Sequence, residues 1–229
     1  MMNLKSSKEE VSNPSELKVV EAEVVMESPE VLKVKSRPVK KVDVRKMAII
    51  GVLAAISIML SMTPLGFIPI GPTNATIMHI PVIIGALLEG PLVGGAIGLI
   101  FGLFSMYQNI TAPNLTSFIF MNPIIALLPR ILIGIVTYYV YTFIKNKIKN
   151  KSISIGVASI AGTLTNTIGV LGLTYILYLD RYAAAKQIST DMVAGALLTV
   201  IGTNGVAEAI ASAVITIPVV TAISKIRKF

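Results

Sequence analysis

Cysteine and tryptophan are absent from this chain of 229 residues, and histidine occurs once, as His79. Without cysteine there is no disulfide framework, no thiol nucleophile and no zinc ribbon. Acidic residues are scarce over most of the length. Residues 1–46 hold 8 of the 12 Asp and Glu, and beyond them stand only Glu89, Asp180, Asp191 and Glu208. Four scattered carboxylates and one imidazole are poor material for a metal cluster or for acid–base chemistry. The G-x-x-x-x-G-K-[ST] pattern is missing, so the chain does not bind ATP through a P-loop of its own. H-E-x-x-H and G-x-S-x-G are missing too. The first 46 residues contain no apolar run of the kind a cleavable signal peptide needs. Together these absences argue against an enzyme and imply no cofactor.

Apolar residues are what the chain has in excess. They make up 54% of it, and the mean hydropathy of +0.78 is too high for an ordinary soluble domain. The net charge of +8 often signals nucleic acid, but here the basic residues flank apolar spans, as the positive-inside rule requires of a membrane protein. Residues 1–44 alternate short Val and Leu pairs with Glu and Lys and contain no aromatic residue. That composition predicts a disordered, charged cytosolic tail, with a six-span membrane domain over 45–229.

Six apolar stretches follow: 47–62, 77–89, 91–106, 117–144, 152–179 and 191–224. A bilayer core needs ~20 helical residues, and the second stretch falls short of that. Between the first two lies TPLGFIPIGPTNAT at 63–76, with three Pro, two Gly and no charge, read as a structured apolar loop. Polar loops are expected at 107–116 and 180–190. Eleven Lys and Arg flank the spans on one side of this layout and two, Arg181 and Lys186, on the other, which places both termini in the cytosol. The predicted fold is an all-α integral membrane protein, a six-transmembrane-helix bundle with an apolar external loop after helix 1. Small residues repeat at helical spacing at Gly94, Gly98 and Gly102, at Gly205, Ala209 and Ala213, and at Gly51 and Ala55. Such stripes let helices approach closely in lipid. The first two read as internal packing; the third, beside the basic flank, is open to another protein.

Polar side chains at membrane depth are costly, so each asks for a reason. Arg130 falls near mid-bilayer, and Glu208 within ~6 Å of the same depth at 1.5 Å per residue. They form either an ion pair that fixes bundle register or part of a cavity in which Arg130 binds an anionic ligand. Asn122, Asn166 and Asn204 lie on three different spans, with Thr163 one turn from Asn166. Singly these are interhelical glue; together with Arg130 they converge on a polar cavity open to the outside. The 63–76 loop would lie over its mouth, with Asn74 as the polar contact. His79 opens the second span as an interface residue or a ligand group, and Tyr175 belongs to an aromatic belt or stacks on a ligand.

Four short runs in order are familiar. They are HIPVIIGALLEGP at 79–91 continuing through Gly94, Gly98, Phe101 and Gly102 to Ser105, LPRILIG at 128–134, GTLTN at 162–166 and NGVAE at 204–208. Over roughly residues 45–225 the chain resembles the substrate-binding S components of energy-coupling factor (ECF) vitamin transporters, most closely the pantothenate-type branch. The tail lies outside the resemblance, and Glu89 stands at a turn where an apolar residue or Gly is expected. The resemblance implies a vitamin-binding subunit in the cell membrane, partnered by a transmembrane T component and two ABC ATPase subunits. It implies a site formed by the first loop and spans four to six, and contact with the T component through Gly51 and Ala55. It also explains the missing P-loop, because ATP hydrolysis belongs to the partners. A self-sufficient secondary transporter of a small organic solute is the alternative, followed by an intramembrane enzyme.

Overall fold

The computed structural model describes residues 22–23, 35–36, 43–70 and 73–226, with side chains over 43–69 and 75–226. The chain divides into two units, Met1–Asp43 and Val44–Phe229. In the first, the described residues besides Asp43 are strands β1 (Ala22–Glu23) and β2 (Lys35–Ser36), paired antiparallel.

The second unit is helical apart from one hairpin. Helix α1 spans Val44–Met62. A 3₁₀ turn at Pro64–Gly66 leads into β3 (Phe67–Ile70) and β4 (Thr73–Thr76), which pair antiparallel with Phe67 opposite Thr76. The loop expected at 63–76 is thus a β-hairpin. Its foot is tied down where the Ile77 amide donates to the Gly66 carbonyl at 3.0 Å. Gly66 itself lies so close to the Leu60 carbonyl that a Cβ there would overlap it.

Helices α2 (Ile80–Glu89) and α3 (Pro91–Thr111) are joined by a single residue, Gly90, at φ 98°, a conformation that favours glycine. Pro81 sits in the first turn of α2, where a missing amide costs nothing. At 10 residues α2 is only ~15 Å long. Every residue from Ile80 to Ala86 is buried, so this apolar run packs on protein and not on lipid. The remaining helices are α4 (Ser117–Phe120), α5 (Pro123–Lys147), α6 (Lys151–Lys186), α7 (Thr190–Val200) and α8 (Val206–Ile226). A π-helical turn, Ile201–Gly205, joins α7 to α8. Among the described residues, five helical segments are long and apolar enough to cross a membrane: α1, α3, α5, α6, and α7 with α8 counted as one.

Three predicted boundaries move. The fourth span is broken at Asn122, extended at φ −78°, ψ 120°, because the residue before a proline avoids the helical region. The loop expected at 180–190 is helical as far as Lys186, the kink falling instead at Tyr178 (φ −137°). Residues 107–111, expected as loop, complete α3.

The glycine stripe on α3 is an internal contact, as its spacing predicts. A Cβ on Gly98 would overlap the Arg130 carbonyl, and one on Gly94 would press on Ala86 and Gly134. Close backbone approach is how helices associate in lipid. Gly98→Leu should therefore cost at least about 3 kcal/mol, the upper part of the usual range for overpacking. Thermal unfolding in detergent checks this, and an unchanged melting temperature would refute the contact.

Candidate functional site

A cavity of about 330 Å³ opens among the hairpin, the start of α2, and helices α3, α5, α6 and α8. That volume suits a small metabolite. Four side chains expected to converge do so here: Arg130 from α5, Asn166 from α6, Asn204 from the π turn and Glu208 from α8 all line it. His79, immediately before α2, lines it as well.

Arg130 is 5% exposed. One terminal nitrogen donates to the Ile125 carbonyl at 2.7 Å. That carbonyl is free because Pro129 has no amide to bond it, as proline inside a helix dictates. The guanidinium carbon stands 4.9 Å from the centre of the Phe120 ring and 5.9 Å from that of Phe101, so two aromatic faces supply part of its stabilisation. No carboxylate among the described residues lies within ion-pair distance of it, and its Nε has no partner there. The Arg130–Glu208 ion pair allowed by their similar depth is therefore not formed.

Glu208 is held otherwise. The Thr76 amide and hydroxyl both donate to its Oε1, at 2.7 and 2.8 Å. The Thr167 hydroxyl donates to its Oε2 at 3.0 Å. Two threonines thus fill the role that the ion-pair alternative gave to the arginine, since several hydrogen bonds can satisfy a buried carboxylate without a cation.

His79 is buried, its Nε2 3.0 Å from the Thr163 hydroxyl. Thr163 meets the cavity through that imidazole and is not itself in the lining. The other imidazole nitrogen, Nδ1, and the Asn166 Oδ1 are buried without a hydrogen-bond partner among the described residues. By contrast the α3 amides at the cavity are engaged. Gln108 donates to the Ser61 carbonyl at 2.9 Å, and Asn109 donates to the Ser105 carbonyl and accepts from the Ser117 hydroxyl, each at 2.8 Å. Unused polar capacity is therefore concentrated on Arg130, His79 and Asn166. A buried polar group without a partner costs free energy, and a ligand bearing a negative charge and hydrogen-bonding groups would recover it.

Two expected residues stand elsewhere. Asn122 caps α5, its side-chain oxygen accepting from the Ile124 amide at 2.9 Å while its nitrogen donates to the Tyr178 hydroxyl at 3.1 Å. The Asn-Pro break turns it away from the cavity. Tyr175 is 44% exposed and outside the lining, one turn from the Tyr178 that does contact α5's cap. Asn74 lies on β4, outside the described side chains. Gly51 and Ala55 are exposed on α1, and a Cβ on Gly51 would meet nothing within 4 Å. Reading the sequence missed Thr76, Thr167, Phe101 and Phe120. Threonines in helices and loops are too common to stand out, and the two aromatics looked like ordinary span residues.

A polar cavity with an arginine at its core thus stands among helices long and apolar enough to cross a membrane. The family model for the substrate-specific component of ECF transporters matches residues 45–220, and the chain belongs to that family. It is 31% identical over 204 residues to the pantothenic acid transporter PanT of Lactococcus lactis subsp. cremoris, covering 82% of this chain and 98% of that one. It is 30% identical over 153 residues to the pantothenate transporter PanT of Leuconostoc mesenteroides subsp. mesenteroides, covering 64% and 75%. Among solved structures the fold is shared with ThiT from Listeria monocytogenes, at a TM-score of 0.59 and 17% identity over 80% of this chain and 96% of that one. The chain is thus a multi-pass membrane protein, a substrate-specific component of the ECF transporter family.

Proposed function

We infer that this protein captures pantothenate at the outer face of the cell membrane and hands it to an ATP-driven import complex. Six membrane-embedded helices would carry the function, α2 being the short one. Both termini would face the cytosol and the β3–β4 hairpin the outside, as the distribution of Lys and Arg favours. A transmembrane T component and two ABC ATPases would supply the energy.

The observation that carries this reading is Arg130, a cation inside the bundle with no carboxylate partner among the described residues, facing a cavity that fits a small molecule. Pantothenate has one carboxylate, one amide and two hydroxyls. Its carboxylate would complete Arg130, and its amide and hydroxyls would meet Asn166, Asn204 and His79. The two pantothenate-transporting relatives support the same assignment.

Liposomes test the division of labour. Liposomes containing this chain alone should bind radiolabelled pantothenate but not accumulate it. Liposomes that also contain the T component and ATPases should accumulate it when ATP is enclosed. Accumulation by the chain alone on an ion gradient would overturn the reading in favour of a secondary transporter.

A further inference from the structure

Glu208 makes three hydrogen bonds, and two of them go to one residue of the hairpin. The Thr76 amide and hydroxyl converge on Oε1 at 2.7 and 2.8 Å. Oε2 is held from α6 by Thr167, whose hydroxyl also reaches the Thr163 carbonyl at 3.2 Å. Glu208 is 6% exposed, so water competes little for these bonds and each acts in a low dielectric. Thr76 is the last residue of β4 and pairs with Phe67, the first of β3. Both line the cavity. The hairpin is therefore anchored at two places: at its foot, where Gly66 abuts the Leu60 backbone, and at Thr76, where it meets α8.

We propose that Glu208 is the positioning residue of the hairpin, acting through Thr76 to set where β3 and β4 stand at the cavity and hence how fast a bound molecule leaves. Its role is that of an acceptor, not of a charge. Oε1 already accepts two bonds, which leaves the carboxylate little capacity for a ligand, and no cation among the described residues faces it within ion-pair distance. A glutamine at this place keeps the oxygen that Thr76 uses, and its amide nitrogen can donate to the Thr167 hydroxyl.

The test combines two readouts on the full chain in detergent. Hydrogen–deuterium exchange at the Thr76 amide reports the anchor directly and needs no ligand. Dissociation of labelled pantothenate reports the consequence, and that arm rests on the function inferred above. Glu208→Ala should speed both by about tenfold or more, the effect of losing the two hydrogen bonds from Thr76 at a buried site. Glu208→Gln should stay within about threefold of the parent, and Thr76→Val, which keeps the amide donor, should fall between them. Should Glu208→Ala fail to fold, Thr76→Val against Glu208→Gln still decides the matter. Unchanged Thr76 exchange in Glu208→Ala would overturn the proposal. So would equal damage in Glu208→Gln, which would make the charge the operative feature. Failure of the parent to bind pantothenate would sink the function inferred above, while the exchange arm would still judge the anchor.

Discussion

Arg130→Ala is expected to weaken pantothenate binding by more than about a hundredfold, because removing one partner of a buried charge pair costs about 3 kcal/mol or more and each 1.4 kcal/mol is tenfold. The same loss should appear without mutation when the carboxylate is reduced to the corresponding alcohol. The alcohol should bind the parent protein as weakly as pantothenate binds the variant, and the variant should barely distinguish the two compounds. Isothermal titration of both compounds against both proteins makes a double cycle. If the guanidinium serves only to hold Ile125 and the rings of Phe101 and Phe120, Arg130→Ala will lower the melting temperature and leave affinity and selectivity intact. That outcome would remove Arg130 from the binding site.

A second large effect is expected far from the cavity. Gly51→Leu or Ala55→Leu should abolish ATP-driven uptake while leaving pantothenate affinity and thermal stability unchanged. Leucine has room at Gly51 in the isolated chain, because nothing lies within 4 Å of an added Cβ. The cost arises only when another helix must approach that face as closely as small residues permit. Gly98→Leu is the internal control. It is the same substitution on α3, where an added Cβ meets the Arg130 carbonyl, and it should fail in stability before function is reached. Undiminished uptake in both α1 variants would take that helix out of the partner interface.

The spans were legible because lipid demands long apolar runs, and the glycine stripe on α3 because backbone contact demands small residues. Arg130, Asn166, Asn204 and Glu208 were legible for the converse reason: polar groups at that depth must be satisfied. What they would be satisfied by was not. Depth alone set Arg130 beside Glu208, whereas the structure gives the carboxylate to Thr76 and Thr167 and leaves the guanidinium over aromatic rings. Those partners come from a hairpin and from another helix, a tertiary relation that no local pattern encodes. The break at Asn122-Pro123 was readable from proline chemistry but was masked by the apolar run around it. Asp180 and Arg181 suggested a loop, yet the alanines that follow favour helix, so the chain stays helical beyond the kink at Tyr178 as far as Lys186. The π turn at Ile201–Gly205, which brings Asn204 into the cavity, left no signature beyond two glycines, and such turns gather at functional sites.

The most direct test of pantothenate capture is a titration of the full chain, purified in detergent, after mass spectrometry has identified the small molecules that leave the column with it. Stoichiometric pantothenate in the purified protein, and saturable one-to-one rebinding after it is washed out, is the predicted result. A protein that carries no pantothenate and shows no heat on its addition would contradict the account.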